Sequence, residues 1–335
     1  MFKTKYLSIA ATIIITAVIA GYFFGEKPRK QQTSPPEKLT IGSPRQEISS
    51  LVYLAKELRY FEKVGLDVEI KEYQYGFTAI EAVLKNDIDI AFATDFAFVA
   101  SYFGNKEPRI LCSIGKADVE ELVARKDSGI SKIEDLKNKK IGVRKNSSAE
   151  FHLATFLLFN GIPLDTIQIV DLPPPELVEA VKAKRIDATV IWPPHAFRLQ
   201  KALGKNAVSW SAQSGQPFFW LAITTNRVLN GKPTAVKNFL ACLAKAETFL
   251  KENEAQARQI VRNYLNLDSV YMDYHWKKQV YAVELAQSLL LRLEDEARWK
   301  IENQYVHDKE VPNYLNAIVM DMLKQVNPES ITIIH

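Results

Sequence analysis

Cysteine is almost missing from this chain. Only Cys112 and Cys242 occur in 335 residues, and neither has a second Cys or a His at metal-ligand spacing. A structural zinc site or a multiply disulfide-stapled scaffold is not expected, and the pair reads as two buried free thiols, with a single disulfide between them as the alternative. There is no G-x-S-x-G nucleophile elbow, no Gly-rich phosphate loop and no cysteine-rich segment; no cofactor or metal is expected. A basic excess is lacking too. The formal charge of +4 equals the surplus of Lys3, Lys5, Lys27, Arg29 and Lys30 over Glu26 in residues 1–30, so the rest of the chain is neutral. Without a basic face, nucleic acid is not an expected partner. Of the chain, 47% is hydrophobic and 24% charged, a globular composition. The length suits two domains of ordinary size.

One long apolar run is present. After Lys3 and Lys5, residues Leu7 to Phe24 carry no charge over 18 positions. As a helix they would measure roughly 27 Å, the thickness of a hydrocarbon core. Residues 1–25 are read as a secretory signal or an uncleaved membrane anchor. Residues 26–38, EKPRKQQTSPPEK, offer nothing to bury and read as a linker. Basic residues flank both ends of the run, which blunts the orientation rule; an extracytoplasmic location, in the periplasm or at the outer face of the cytoplasmic membrane, is inferred mainly from the reading of the rest of the chain.

Ordered structure is expected from Leu39. The run Leu39-Thr40-Ile41-Gly42 predicts a strand, and Ile48, Leu51, Val52, Ala55, Leu58 and Phe61 recur at helical spacing. Gly65 predicts a helix stop. Leu66, Val68 and Ile70 alternate with charged residues, predicting a second strand. Thr78-x-x-Glu81 predicts a capping box and Ile88 to Ala93 a third strand. The order β-α-β-α-β implies a largely parallel sheet flanked by helices. The pattern then recurs. Glu81-Ala82-Val83 and Ile88-Asp89 reappear as Glu179-Ala180-Val181 and Ile186-Asp187 at a constant offset of 98, and Ile41-Gly42 matches Ile141-Gly142. Two α/β lobes of similar design are predicted, lobe 1 from residues 39–120 with 226–335 and lobe 2 from 121–225. Glu121 to Arg125 and Phe218 to Thr225 are predicted as strands crossing between them, with a capping box at Ser131-x-x-Glu134. Helices are expected over 235–252, 255–265, around His275 to Arg292, and over 313–326.

The segment Leu54-Ala55-Lys56-Glu57-Leu58-Arg59-Tyr60-Phe61-Glu62-Lys63-Val64-Gly65-Leu66-Asp67-Val68 resembles the nitrate/taurine/sulfonate-binding proteins of ABC importers. Further segments match the family in order: Ala82 to Ala93, Leu122 to Gly142, Asn146-Ser147-Ser148, and Ile186-Asp187-Ala188 through Trp192-x-Pro194. The resemblance spans about residues 39–255, and its specificity lies in the ordered set. Asn86 and Asn138 stand where the family has Gly, and both can take the left-handed conformation. The resemblance implies a type II periplasmic-binding fold with two hinge strands and C-terminal helices. It implies a small-molecule ligand, a permease and its ATPase as partners, and no enzymatic activity.

In such a fold the ligand sits at the carboxyl ends of the strands. That rule selects Ser43 and Arg45, Gly76 and Phe77, Thr94 and Asp95 in the first lobe. In the second it selects Ser147, Ser148, Trp192 and His195, with Trp220 on the returning strand. Ser147-x-x-Glu150 predicts a third capping box, whose free N–H groups suit an anionic or polar ligand. Trp192 offers a flat face and Arg45 a planar fork for a sulfonate or carboxylate. Asp95 and Glu150 point instead to a ligand with N–H groups, such as an amine or a pyrimidine. Two other readings stand beside the transport one: a fold-sharing enzyme or binding protein for a pyrimidine or thiamine precursor, and an anchored sensory domain. His152 reads as a satisfied, partly buried histidine. The lobes are expected to close on the solute, which shifts the population toward the closed state.

Overall fold

The computed structural model describes residues 35–334. The apolar run at Leu7 to Phe24 lies outside them. Among the described residues no helix is long and apolar enough to cross a membrane.

Eleven strands form two sheets. The first contains β1 (Glu37–Ser43), β2 (Leu66–Glu72), β3 (Ile90–Thr94), β4 (Pro108–Ala117), β10 (Phe218–Thr225) and β11 (Gln279–Val280), in the order β11-β4-β10-β3-β1-β2. The second contains β5 (Glu121–Arg125), β6 (Lys140–Val143), β7 (Gln168–Asp171), β8 (Ala188–Ile191) and β9 (Ala207–Ser211), in the order β7-β6-β8-β5-β9. The three strands at one side of each sheet run parallel, and an antiparallel strand, β10 or β5, follows. The two halves therefore share one topology.

The sequence repeat has a physical reason. Asp89 and Asp187 each stand just before a strand and bridge to the strand beside it. Thr40 N donates to Asp89 Oδ2 at 2.9 Å, and Asp89 N to Thr40 O at 2.8 Å. Lys140 N donates to Asp187 Oδ2 at 2.9 Å, and Asp187 N to Lys140 O at 2.8 Å. The paired glycines make room for the isoleucine that precedes each Asp. A Cβ on Gly42 would collide with Ile88 Cδ1, and one on Gly142 would lie 2.5 Å from Ile186 Cδ1. Asn86 (φ 65°) and Asn138 (φ 62°) adopt the left-handed turns expected of them.

Several expectations are corrected. Neither strand predicted to cross between the lobes does so: β5 lies inside the second sheet and β10 inside the first. The chain passes between the sheets at residues 118–120 and 212–217. Gln213 fastens these two passages together. Its Oε1 accepts from Val119 N (2.7 Å) and Glu120 N (2.9 Å), and its Nε2 donates to Ala117 O (2.8 Å). Residues 218–225 thus belong with the first sheet, not with lobe 2 as the 121–225 boundary had it. β1 also begins at Glu37, inside the segment expected as linker. The single helix expected around His275 to Arg292 is two, Ser269–Trp276 and Gln287–Glu302, with β11 between them. In place of one helix over 313–326 there are a 3₁₀ turn, Tyr314–Ala317, and a short α-helix, Met320–Lys324. Both cysteines are buried free thiols.

One core fills the first lobe around Leu39, Ile41, Phe92 and Phe239. Two smaller clusters cover the faces of the second sheet, one around Leu122 and Ile141, the other around Val123 and Leu177.

Candidate functional site

Loops from the carboxyl ends of β1, β3, β6 and β8 face one another across a cleft of about 370 Å³. That is enough for a ligand the size of a small aromatic acid. The first-lobe wall is Gln46 and Glu47 after β1, Gln74 to Thr78 after β2, and Thr94 with Phe96 after β3. The second-lobe wall is Arg144 to Ser148 after β6, and Trp192 with Pro193 after β8. Val119, Glu120, Phe218 and Trp220 close the cleft at the passages between sheets, and Gln279 enters from the C-terminal region.

Gly76 opens the helix Gly76–Leu84 where only glycine fits: a Cβ would lie 2.7 Å from Ala93 Cβ and 2.8 Å from Ala93 Cα. Phe77 beside it is exposed. Thr94 caps the helix Asp95–Gly104, its Oγ1 accepting from Ala97 N at 3.2 Å. Ser148 opens the helix Ser148–Phe159 and donates to Glu120 Oε1 at 2.6 Å. Trp220 Nε1 donates to Ser49 Oγ at 2.8 Å, which fixes the indole as a wall.

Gly76, Phe77, Thr94, Ser147, Ser148, Trp192 and Trp220 line the cleft; Ser43, Arg45, Asp95 and His195 do not. Ser43 is buried behind the wall, bonded to Pro44 O and Ser49 Oγ. Arg45 points outward and donates to Tyr264 O at 2.8 Å. Asp95 is fully buried and accepts from Phe96 N (2.9 Å) and Phe219 N (3.0 Å). Burial pushes its carboxyl up, opposed by Arg292 and those two N–H groups. His195 opens the helix His195–Leu203, and burial pushes its imidazole down.

The three capping boxes are also corrected. Thr78 lies inside its helix and donates to Tyr75 O. Ser131 pairs with Asp135 rather than Glu134. Ser147 Oγ donates to Arg144 O, while Glu150 accepts from Asn146 N at 2.6 Å and from Tyr305 Oη. His152 is buried and bonded through Nδ1 to Glu120 at 2.6 Å, as a satisfied histidine should be.

Several charged lining residues escaped the sequence reading. Arg144 and Lys145 directly follow β6, so the strand-end rule contained the signal. Arg144 pairs with Asp171 at 3.3 Å near solvent. Glu47 is buried, accepts from Tyr271 Oη at 2.9 Å, and burial raises its carboxyl. Glu120 lies in an irregular passage that no periodicity marks. The cleft thus carries two buried carboxylates, two basic side chains nearer solvent, and aromatic faces from Phe96, Phe218, Trp192 and Trp220. Among the described residues no cluster could hold a metal ion.

Two lobes of one design, two passages between them and a cleft built from both define a two-lobed solute-binding protein. The comparisons agree. The family model "NMT1/THI5 like" matches residues 48–257, and the chain belongs to that family. A Bacillus subtilis (strain 168) protein named for aliphatic sulfonate binding is 26% identical over 231 residues, 67% of this chain and 69% of its own. The alkanesulfonate-binding protein SsuA from Xanthomonas axonopodis pv. citri, bound to MOPS, superposes with a TM-score of 0.70 at 20% identity, over 85% of this chain and 99% of that one. The desulfurization enzyme DSZB shares the fold at a TM-score of 0.62 and 13% identity, over 88% and 99% of the two chains. The fold therefore carries both binding and catalysis.

Proposed function

We propose that this protein binds a small sulfonate-type solute outside the cytoplasm and delivers it to an ABC permease and its ATPase. Residues 7–24 direct the chain to that side of the membrane. The observation that carries the reading is the cleft, in which strand-end loops of both lobes meet around one solute-sized space. Arg144, Lys145 and the N–H groups opening the helix at Ser148 would hold the anionic end. Trp192, Phe96 and Phe77 would hold the apolar part, with Gly76, Thr94, Ser147 and Trp220 completing the walls. The relative named for aliphatic sulfonates supports this ligand class.

A second ligand class has its own support. Glu47 and Glu120 present buried carboxylates to the same cleft, which suits a flat solute bearing N–H groups. Binding rather than catalysis is the favoured activity. Ser148 is hydrogen-bonded to Glu120 in the lining, but His152 engages the other oxygen of that carboxylate, and the relative named for binding favours binding.

A thermal-shift screen tests this with taurine, longer alkanesulfonates, arylsulfonates, nitrate and aminopyrimidines. A true solute at a hundred times its Kd adds about 2.7 kcal/mol, a rise in Tm of about 4 °C for a chain of this size. Trp192→Ala should abolish that rise while leaving the solute-free Tm within a few degrees. If no sulfonate shifts the protein and an aminopyrimidine does, the second class is correct. If Trp192→Ala binds normally, the cleft is not the site.

A further inference from the structure

The helix Gln287–Glu302 packs along the first-lobe helix Asp95–Gly104, yet its buried face is bonded to the second lobe as well. That face carries Arg292, Glu296 and Lys300 on successive turns, all buried. Buried charged groups need partners, and those of Arg292 and Lys300 come from several parts of the clamp, whereas Glu296 bonds only Arg292 and burial pushes its carboxyl up. Arg292 Nε donates to Glu296 Oε1 at 2.9 Å and lies 3.6 Å from Asp95 Oδ2 of the first lobe. Its Nη1 donates to Gln216 Oε1 (3.3 Å) in the second passage, and its Nη2 meets His152 Nε2 in the second lobe. The guanidinium also stands 4.8 Å from the centroid of the Phe151 ring. His152 continues the chain of contacts to Glu120 in the first passage.

The contacts extend along the helix. Lys300 Nζ donates to Asn146 Oδ1 at 2.8 Å and sits 3.5 Å over the Phe96 ring, so it joins one residue from each wall of the cleft. Trp299 packs against Phe96 (5.8 Å) of the first lobe and Phe151 (5.6 Å) of the second. Tyr305, just beyond the helix, bonds Glu150 at 2.7 and 2.8 Å. Opening the clamp about its passages would pull Asn146, Glu150, Phe151 and His152 off this surface. Water would replace these bonds on opening, but hydrogen bonds to charged groups keep a net advantage over water, so their loss opposes opening.

We propose that the helix Gln287–Glu302 is an interlobe latch centred on Arg292, which holds the two lobes together before any solute arrives. The solute-free equilibrium then lies on the closed side. Solute enters past the exposed Tyr75 and Phe77 rather than through a wide separation of the lobes.

Spin labels on Glu62→Cys in the first lobe and Lys205→Cys in the second report the separation directly, on the full chain stripped of solute by unfolding, dialysis and refolding. The native thiols are buried and slow to label. The expected result is one narrow distance in the otherwise unchanged protein. A second, longer population should appear when Lys300→Met and Tyr305→Phe are combined. Tyr305→Phe alone keeps the ring stacked on Trp299 and serves as the milder variant should the pair fold poorly. Two populations in the unmutated protein would overturn the latch, as would a distribution that neither variant alters. Both readouts are taken without ligand, so they stand or fall apart from the choice of solute.

Discussion

At the scale of single residues, the cleft depends on groups that never face it. Asp95 follows a strand end, where the sequence left ligand contact and a bond to a backbone or hinge group equally open. Its carboxylate instead receives two backbone N–H groups and faces Arg292, joining the start of β10 to the helix Asp95–Gly104. Asp95→Asn would set an amide against one of those donors and leave Arg292 less compensated. The expected cost is about 2–4 kcal/mol in urea denaturation, with solute affinity little changed. Loss of binding at unchanged stability would restore Asp95 to the site. Gly76→Ala tests the opposite kind of residue. Its Cβ would press on Ala93 backbone rather than on a flexible side-chain end, so about 1–3 kcal/mol should be lost. Unchanged stability would show that the loop can retreat.

At the scale of elements, much was legible because local rules operated without competition. The alternation of Leu66, Val68 and Ile70 gave β2, and Gly65 at φ 74° gave the stop before it. The Ile-Asp repeat gave matching strands in both lobes. The capping boxes failed because each serine or threonine found another partner: Thr78 and Ser147 bond back to carbonyls three residues earlier, and Ser131 bonds Asp135. The C-terminal helices were misjudged because tertiary packing, not periodicity, breaks the chain between Trp276 and Gln287. His275 illustrates this. It ends a short helix, buried among Phe197, Tyr271 and Tyr274 with no hydrogen-bond partner on either ring nitrogen. Burial, with Lys278 nearby, lowers its pKa to about 3 from the ordinary 6.5. Between those values the unfolded chain binds a proton that the folded chain refuses. Stability should therefore fall as pH drops from about 6.5 toward 3, by up to about 1.4 kcal/mol per pH unit from this group. His275→Leu should flatten that part of the stability profile in denaturant titrations at pH 4, 5, 6 and 7. An identical slope in the variant would show that His275 is protonated within the fold.

At the scale of the whole molecule, the two-lobed plan was readable because the chain repeats itself. The cleft was readable only where a strand end announced it. Glu47, Glu120 and Gln279 reach it from a 3₁₀ turn, an irregular passage and a short edge strand, and only the assembled fold brings them together. The result is a cleft with opposite charges in different places: carboxylates buried toward the first lobe and the passages, and Arg144 with Lys145 toward solvent on the second lobe. Two substitutions test whether that polarity selects the solute, without knowing the solute beforehand. In Glu47→Gln the side-chain oxygen can still accept from Tyr271, so stability should stay within about 1 kcal/mol. In Arg144→Gln only an exposed ion pair is lost, at about 0–1 kcal/mol. For a sulfonate held by Arg144, calorimetric titration should show Arg144→Gln weakening binding about 10- to 100-fold, the equivalent of one charge-assisted bond, while Glu47→Gln leaves it intact. For a solute presenting N–H groups the two variants should exchange roles. If neither variant changes the affinity of whichever solute stabilises the protein, the charges at the two ends of the cleft do not select its ligand.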